Sequence, residues 1–253
     1  VAIDSHGADA MRFTLASMTT DTQDIRMPVA SMTLPDGRTA NTSPKFDLGR
    51  NFCNKLWNAS RFAMMNLEGM DPAGFDASRM DITDRWILSR LATTRDEVTA
   101  VIEEFKFSEP LNQLYRFFWN DLCDWYLEWA KSRMREDSSK GIAQNVLAFV
   151  LDQTLRLLHP FIPFITEGIY QKLNELAPIR ELRGITAGDT APALVVASWP
   201  ESLASLKDPQ VETQIQVVQG VVRAIRDLRS QYNIPPSARL KASAAAPQAT
   251  AAV

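Results

Sequence analysis

From Ser108 onward, large apolar residues recur as Leu111, Leu114, Phe118, Leu122, Trp125 and Trp129, at steps of three, four, four, three and four. That spacing lines them along one stripe of an α-helix, and a strand, with its period of two, cannot reproduce it. Ser108-Glu109-Pro110 supplies a start, because serine suits an N-cap and proline is tolerated in the first helical turn. A helix with so aromatic a face needs other helices to bury it.

The rest of the chain supplies them. Phe52, Leu56, Ala59, Phe62 and Ala63 predict a helix over 48–67, with Asp71-Pro72-Ala73-Gly74 ending it. The next opens near Thr83 with Asp84 in its first turn, where a carboxylate favours the helix dipole, and carries Trp86, Leu91, Val98, Val101, Ile102 and Phe105. Further helices are predicted over 141–158, broken by Pro160 and Pro163, and around 165–176. A last one spans 210–232, where Val211, Ile215, Val218, Val222, Ile225 and Tyr232 form a narrow seam that Pro235-Pro236 stops. Smaller elements are a helix over 8–16, a hairpin about Pro35-Asp36-Gly37, and a strand at Leu194-Val195-Val196-Ala197. The Ala-rich tail from Ala242 has little to anchor it. The fold class is mainly α, a helical bundle with small α/β elements at both ends.

Several chemistries lack their residues. The two cysteines, Cys53 and Cys123, have no CxxC spacing, which predicts free thiols in a reducing compartment and a cytoplasmic protein. Only His6 and His159 are available, too few for a zinc site, and each is expected to pack or cap a helix. No Gly-rich phosphate loop or nucleophile elbow is present, and Asp121 and Asp124 have no adjacent nucleophile. No apolar run approaches the roughly 20 residues of a membrane span, and Val1–His6 is not a secretory signal. Val1 in place of an initiator Met points to a piece of a longer protein. The net charge of −3 argues against a uniformly basic surface, yet a local basic face remains open. No catalytic residue, metal site or membrane partner is predicted.

Six motifs, in order, carry a family resemblance. Arg50-Asn51-Phe52-Cys53-Asn54-Lys55-Leu56-Trp57-Asn58-Ala59-Ser60-Arg61-Phe62 resembles the opening helix of the anticodon-binding domain of valyl-tRNA synthetases, class Ia aminoacyl-tRNA synthetases. Gly7–Ala16 is similar to the helix after the KMSKS loop of the class I ligases for Val, Ile and Leu. Asp84–Leu91 resembles the second bundle helix, and Tyr115–Trp119 with Asp124-Trp125-Tyr126-Leu127-Glu128 the third. Leu157–Glu167 resembles the helix–turn–helix junction of the group, and Ser198-Trp199-Pro200 its close. The resemblance covers roughly residues 1–240. The HIGH and KMSKS motifs are not in the sequence, Gly168 stands where the family has an acidic residue, and His6 where it has a tyrosine.

The resemblance implies three segments: a stem-contact segment over 1–46, an anticodon-binding bundle over 47–207, and a C-terminal helix with a shortened appendage over 208–253. It implies a non-catalytic part of a valine–tRNA ligase, whose remaining chain, in cis, binds ATP and charges tRNA with valine. The tRNA-binding residues expected are Arg50, Asn51, Asn54, Lys55, Asn58, Arg61 and Phe62, with a core role for Phe62 the stronger reading. On a helix the Arg, Asn and Lys residues among them make a polar stripe able to meet phosphates and base edges together. Arg12, Lys131, Arg133, Arg135 and the arginines at 223, 226 and 229 are candidates for backbone contact. Two alternatives stay open: the equivalent part of an isoleucyl- or leucyl-tRNA synthetase, and a stand-alone helical protein-interaction module.

Overall fold

A computed structural model describes residues 2–20, 23–33, 37–186, 190–235 and 237–241. They fall into two compact units, Val1–Lys207 and Asp208–Val253. The first unit opens with α1 (Ala2–His6) and α2 (Ala8–Ser17), then an antiparallel pair β1 (Ala30–Thr33) and β2 (Thr39–Thr42) in register Ala30 to Thr42. The pair is the predicted hairpin, although Pro35 and Asp36 of its expected turn lie outside the described residues. Long helices follow: α3 (Asp47–Leu67), α4 (Ile82–Glu103), α5 (Ser108–Arg116) running through a π-helical stretch (Phe117–Tyr126) into α6 (Leu127–Arg133), then α7 (Asp137–Leu158) and α8 (Pro163–Leu176).

The tightest packing is between α2 and α3. A Cβ on Gly49 would lie 2.2 Å from the Ala10 carbonyl oxygen and 2.8 Å from Thr14 Oγ1, so the two backbones nearly touch. Immediately beside this point Phe13 and Phe52 stack with centroids 4.5 Å apart, and both are buried. The same helix α2 also holds the turn between α7 and α8. Asp9 accepts the backbone N–H groups of Phe164 (3.3 Å) and Ile165 (2.6 Å), the free donors of the first turn of α8. Arg12 donates to the Phe161 carbonyl (3.0 Å) and the Pro160 carbonyl (2.9 Å).

The strongest sequence signal needed one correction. Residues 108–133 are helical throughout, but the π stretch widens the turns, and Phe117, Phe118, Leu122, Trp125 and Tyr126 are all buried there. Tyr126 is fully buried, whereas Trp129, predicted for the core, is half-buried against Trp86 and Trp125. The Tyr126 hydroxyl donates to buried Asp84 (3.0 Å), which also accepts from Arg133 (2.5 Å). Asp84 is in addition the partner of Asp81 in the capping box that starts α4. One buried carboxylate thus ties the start of α4 to the end of the third bundle helix.

Other departures have local causes. α3 ends at Leu67 as expected, but the residue that turns the chain there is Gly69 in a left-handed conformation (φ 72°), ahead of Asp71-Pro72-Ala73-Gly74. Ser108 is the first residue of α5 and caps nothing. Phe105, predicted on the apolar face of α4, leaves that helix at positive φ and is 80% exposed. α1 was not predicted. Leu194–Val196 is a single tight turn and not a strand, because Glu167 accepts the N–H groups of Leu194 (3.0 Å) and Val195 (3.3 Å) and no strand among the described residues pairs with it. Farther along α7, Asp152 accepts from Arg156 (2.8 Å) and Arg180 (2.7 Å), while Arg156 donates to the Ser198 carbonyl (3.0 Å). This buried cluster fastens the long loop after α8 to the bundle.

The second unit is α9 (Pro209–Gln231), capped by Asp208, whose side chain accepts from the Val211 N–H. Along its seam Val211 and Ile215 are buried, while Ile225 and Tyr232 are exposed. Arg229 donates to the carbonyls of Pro235 (2.5 Å) and Ala238 (2.9 Å), so it closes the helix end. Pro236 and the tail from 242 lie outside the described residues.

Gly49→Ala is expected to lower unfolding free energy by about 1–3 kcal/mol, since neither backbone can retreat. Gly168→Ala, at a helical position with open space around it, should raise it by about 0.5–1 kcal/mol. Urea denaturation measures both. Burial alone would raise the Glu167 carboxyl, but the Gln171 amide and the Leu194 and Val195 N–H groups hold it below its usual range. A depressed carboxyl stabilises the fold above its unfolded value near 4.5 and loses that contribution as pH falls through the folded value. Glu167→Gln should therefore be less stable than the parent at pH 7, with the difference vanishing towards pH 3.

Candidate nucleic-acid interface

α3 buries one face and leaves the opposite one bare. Gly49, Phe52, Leu56, Ser60, Ala63, Met64 and Leu67 point inward; of the residues expected there, Phe52, Leu56 and Ala63 are buried while Ala59 and Phe62 are half-buried at the edge. The outward face carries Asn51, Asn54, Asn58 and Arg61, all exposed, and none makes a side-chain hydrogen bond or ion pair among the described residues. Between Leu48 and Leu67 the helix holds Arg50, Lys55 and Arg61 and no carboxylate, within a chain of net charge −3. Along this stretch of α3 the charge is basic although the chain as a whole is acidic.

The other predicted residues flank this face and are engaged. Arg50 pairs with Asp47 (2.6 Å), whose carboxylate also stands 3.3 Å from the Nε2 atom of buried His6. Contact between His6 and Asp47 is by proximity only, because the ring and the carboxylate are not aligned for a hydrogen bond. Lys55 reaches across to the third bundle helix, 4.6 Å over the Trp119 ring and 3.5 Å from Asp124. Phe62 is half-buried, not in the core, and the Lys131 ammonium sits 5.3 Å over its ring. Lys131 in turn pairs with Glu128 (2.5 Å). Two reciprocal cation–aromatic contacts therefore line the seam between α3 and the third helix.

Of the additional basic candidates, Arg12 and Arg133 are spent on the internal contacts already described. Arg135 is exposed, its side chain unpaired among the described residues. The sequence reading missed Trp57, which is 49% exposed on the flank shared with Arg50 and Arg61. Its spacing from Asn54 and Arg61, three and four residues, was the available signal.

Residues considered for catalysis are occupied by packing. Asp121 is paired with Arg90 (2.9 Å) and Asp124 with Lys55. Among the described residues no cluster of three metal-ligating side chains occurs, and no helix is long and apolar enough to cross a membrane. His159 makes a 2.9 Å hydrogen bond with Thr166, and burial pushes its imidazole below the usual range. Burial, with Asp9 adding to it, pushes the Cys53 thiol up to about 12, and burial does the same for Cys123 despite Lys55 nearby. Both cysteines are free.

The family described as the anticodon-binding domain of tRNA ligase matches residues 84–244. The chain belongs to that family. It is 39% identical over 95% of its length to a valine–tRNA ligase of Rhodopirellula baltica, covering 27% of that protein. It is 40% identical over 94% to the valine–tRNA ligase of Carboxydothermus hydrogenoformans, and 41% over 93% to that of Latilactobacillus sakei, covering 24% of each. The chain thus spans about a quarter of the length of these relatives. A solved LeuRS–tRNA–LeuAMS ternary complex from Agrobacterium radiobacter aligns with TM-score 0.54 and 19% identity, over 82% of this chain and 21% of that one. That likeness establishes the shared helical fold, and the expected bundle class is met.

Thiols held near 12 stay protonated at neutral pH. Alkylation by iodoacetamide at pH 7.5 should be slow at both cysteines in the folded chain and become fast in urea; rapid modification of folded Cys53 or Cys123 would contradict the packing described.

Proposed function

We propose that the chain is the anticodon-reading part of a valine–tRNA ligase, and that the outward face of α3 contacts unpaired bases of the anticodon loop. The observation that carries this reading is the 39–41% identity to valine–tRNA ligases across more than nine-tenths of the chain. In the whole ligase, ATP and valine are handled by the other three-quarters of the polypeptide, joined to this part in cis, in the cytoplasm. This part supplies recognition.

The chemistry of the face suits that role. RNA sequence is legible in single-stranded loops, where base edges and faces are free of pairing. Asn51, Asn54 and Asn58 each offer an amide donor pair and a carbonyl acceptor, the combination that matches base edges. Arg61 adds a rigid cationic fork, while Arg50 and Lys55 sit at the flanks where a backbone would pass. Their present partners, Asp47 and Asp124, are 37% and 49% exposed, so exchange for phosphate costs little desolvation.

Binding of a valine-anticodon stem-loop, followed by fluorescence anisotropy, should weaken with salt. Three cations on a single-stranded target correspond to a log–log slope of about −2. The Arg50→Ala, Lys55→Ala, Arg61→Ala triple variant should lose most of that slope; unchanged binding would remove α3 from the interface. Stem-loops with isoleucine and leucine anticodons should bind more weakly than valine, and the opposite order would favour the isoleucyl or leucyl reading. ATP–pyrophosphate exchange with valine should be absent from this chain alone.

A further inference from the structure

The chain has six tryptophans, and five of them have their rings or N–H groups occupied. Trp129 packs on both Trp86 and Trp125, with centroids 5.4 and 5.3 Å away. Trp119 is stacked on Tyr115 (5.3 Å, 16°) and covered by Lys55 on the bundle surface. Trp199 donates its indole N–H to Thr99 (3.0 Å). Trp57 alone makes no ring contact, hydrogen bond or ion pair among the described residues, and it is 49% exposed. Half of a large ring with a broad π-face is thus open to solvent.

Its neighbours indicate what the open ring is suited to. On α3, Trp57 is followed by Asn58 and flanked at helical spacing by Asn54 and Arg61, three exposed polar side chains with no partner among the described residues. The ring is bordered by two amides and a guanidinium that make no side-chain hydrogen bond or ion pair among the described residues. It resembles a stacking platform with hydrogen-bonding groups at its rim, the arrangement that holds a splayed nucleobase. Phe62, the ring first expected to stack, already has the Lys131 ammonium over it. The open ring of the face is therefore Trp57.

We infer that Trp57 is a base-stacking residue: the indole receives one unpaired nucleobase of the RNA loop, with Asn54, Asn58 and Arg61 meeting its edges and phosphate. This rests on the reading of α3 as the RNA-contacting helix and adds to it a residue and a role. Stacking is sequence-tolerant, because every base has a π-face, so Trp57 supplies affinity and placement while the amides discriminate.

The test compares Trp57→Ala and Trp57→Phe with the unsubstituted chain, using the valine-anticodon stem-loop and a fully paired hairpin of equal charge. Trp57→Ala should weaken stem-loop binding by roughly 5- to 100-fold, within the range of base–aromatic stacking, while leaving the salt slope and hairpin binding unchanged. Trp57→Phe should recover most of the loss, an outcome that a mere folding defect in the alanine variant would not distinguish but circular dichroism and the unchanged hairpin binding do. Equal stem-loop binding by Trp57→Ala, with the triple cation variant still impaired, would overturn the stacking role and leave the α3 reading intact. Indifference of both variants, or no binding by the unsubstituted chain, would overturn the reading of the face and the stacking role together.

Discussion

Helix α2 approaches α3 so closely at Gly49 that no side chain fits between them, and this contact organises much of the first unit. On one side it brings Phe13 onto Phe52, the ring from which the aromatic core continues to Tyr115 and Phe118. On the other it places Asp9 and Arg12 against the turn that joins α7 to α8. A carboxylate meets the positive end of one helix and a guanidinium takes the carbonyls of the turn preceding it, each the favourable sign for its position. With its inner face held so firmly, α3 is left with a fixed outer face.

The interface is then what remains after the internal accounts of charge are closed. Arg12, Arg90, Arg133, Arg156 and Arg180 are each bound to a carbonyl or carboxylate within the bundle. Asp84 and Asp152, both buried, are each held by arginines from distant positions in the chain. Removing one partner from such a buried pair leaves an uncompensated charge, so these residues are bound to folding and unavailable to a ligand. Asn51, Asn54, Asn58 and Arg61 on α3 have no such duty among the described residues. An acidic chain can thus present a basic, amide-rich strip without a basic overall composition.

Much of this was legible in the sequence because helical periodicity is strong where aromatic residues set it. The extents of α3, α4 and α9, and the break at Pro160 and Pro163, follow from spacing and proline chemistry. The π stretch was not legible: Phe118, Leu122 and Trp125 suit α and π turns equally, and only tertiary packing selects Tyr126 over Trp129 for the core. Leu194–Ala197 had β-branched character, yet the deciding partner, Glu167, lies on another helix. For the interface, the stripe from Arg50 to Arg61 was visible as a helical face. The engagement of Lys55 and Phe62 with Trp119 and Lys131 depends on the neighbouring helix, and so does the openness of Trp57.

The central claim is that the outer face of α3 is where RNA is read, and photocross-linking locates that contact directly. A valine-anticodon stem-loop carrying 4-thiouridine in its loop would be irradiated with the chain and the adducts mapped by mass spectrometry. Adducts concentrated within residues 50–62, and lost when excess unlabelled stem-loop is added, are the predicted result. Competed adducts confined to other helices, with none on α3, would contradict it.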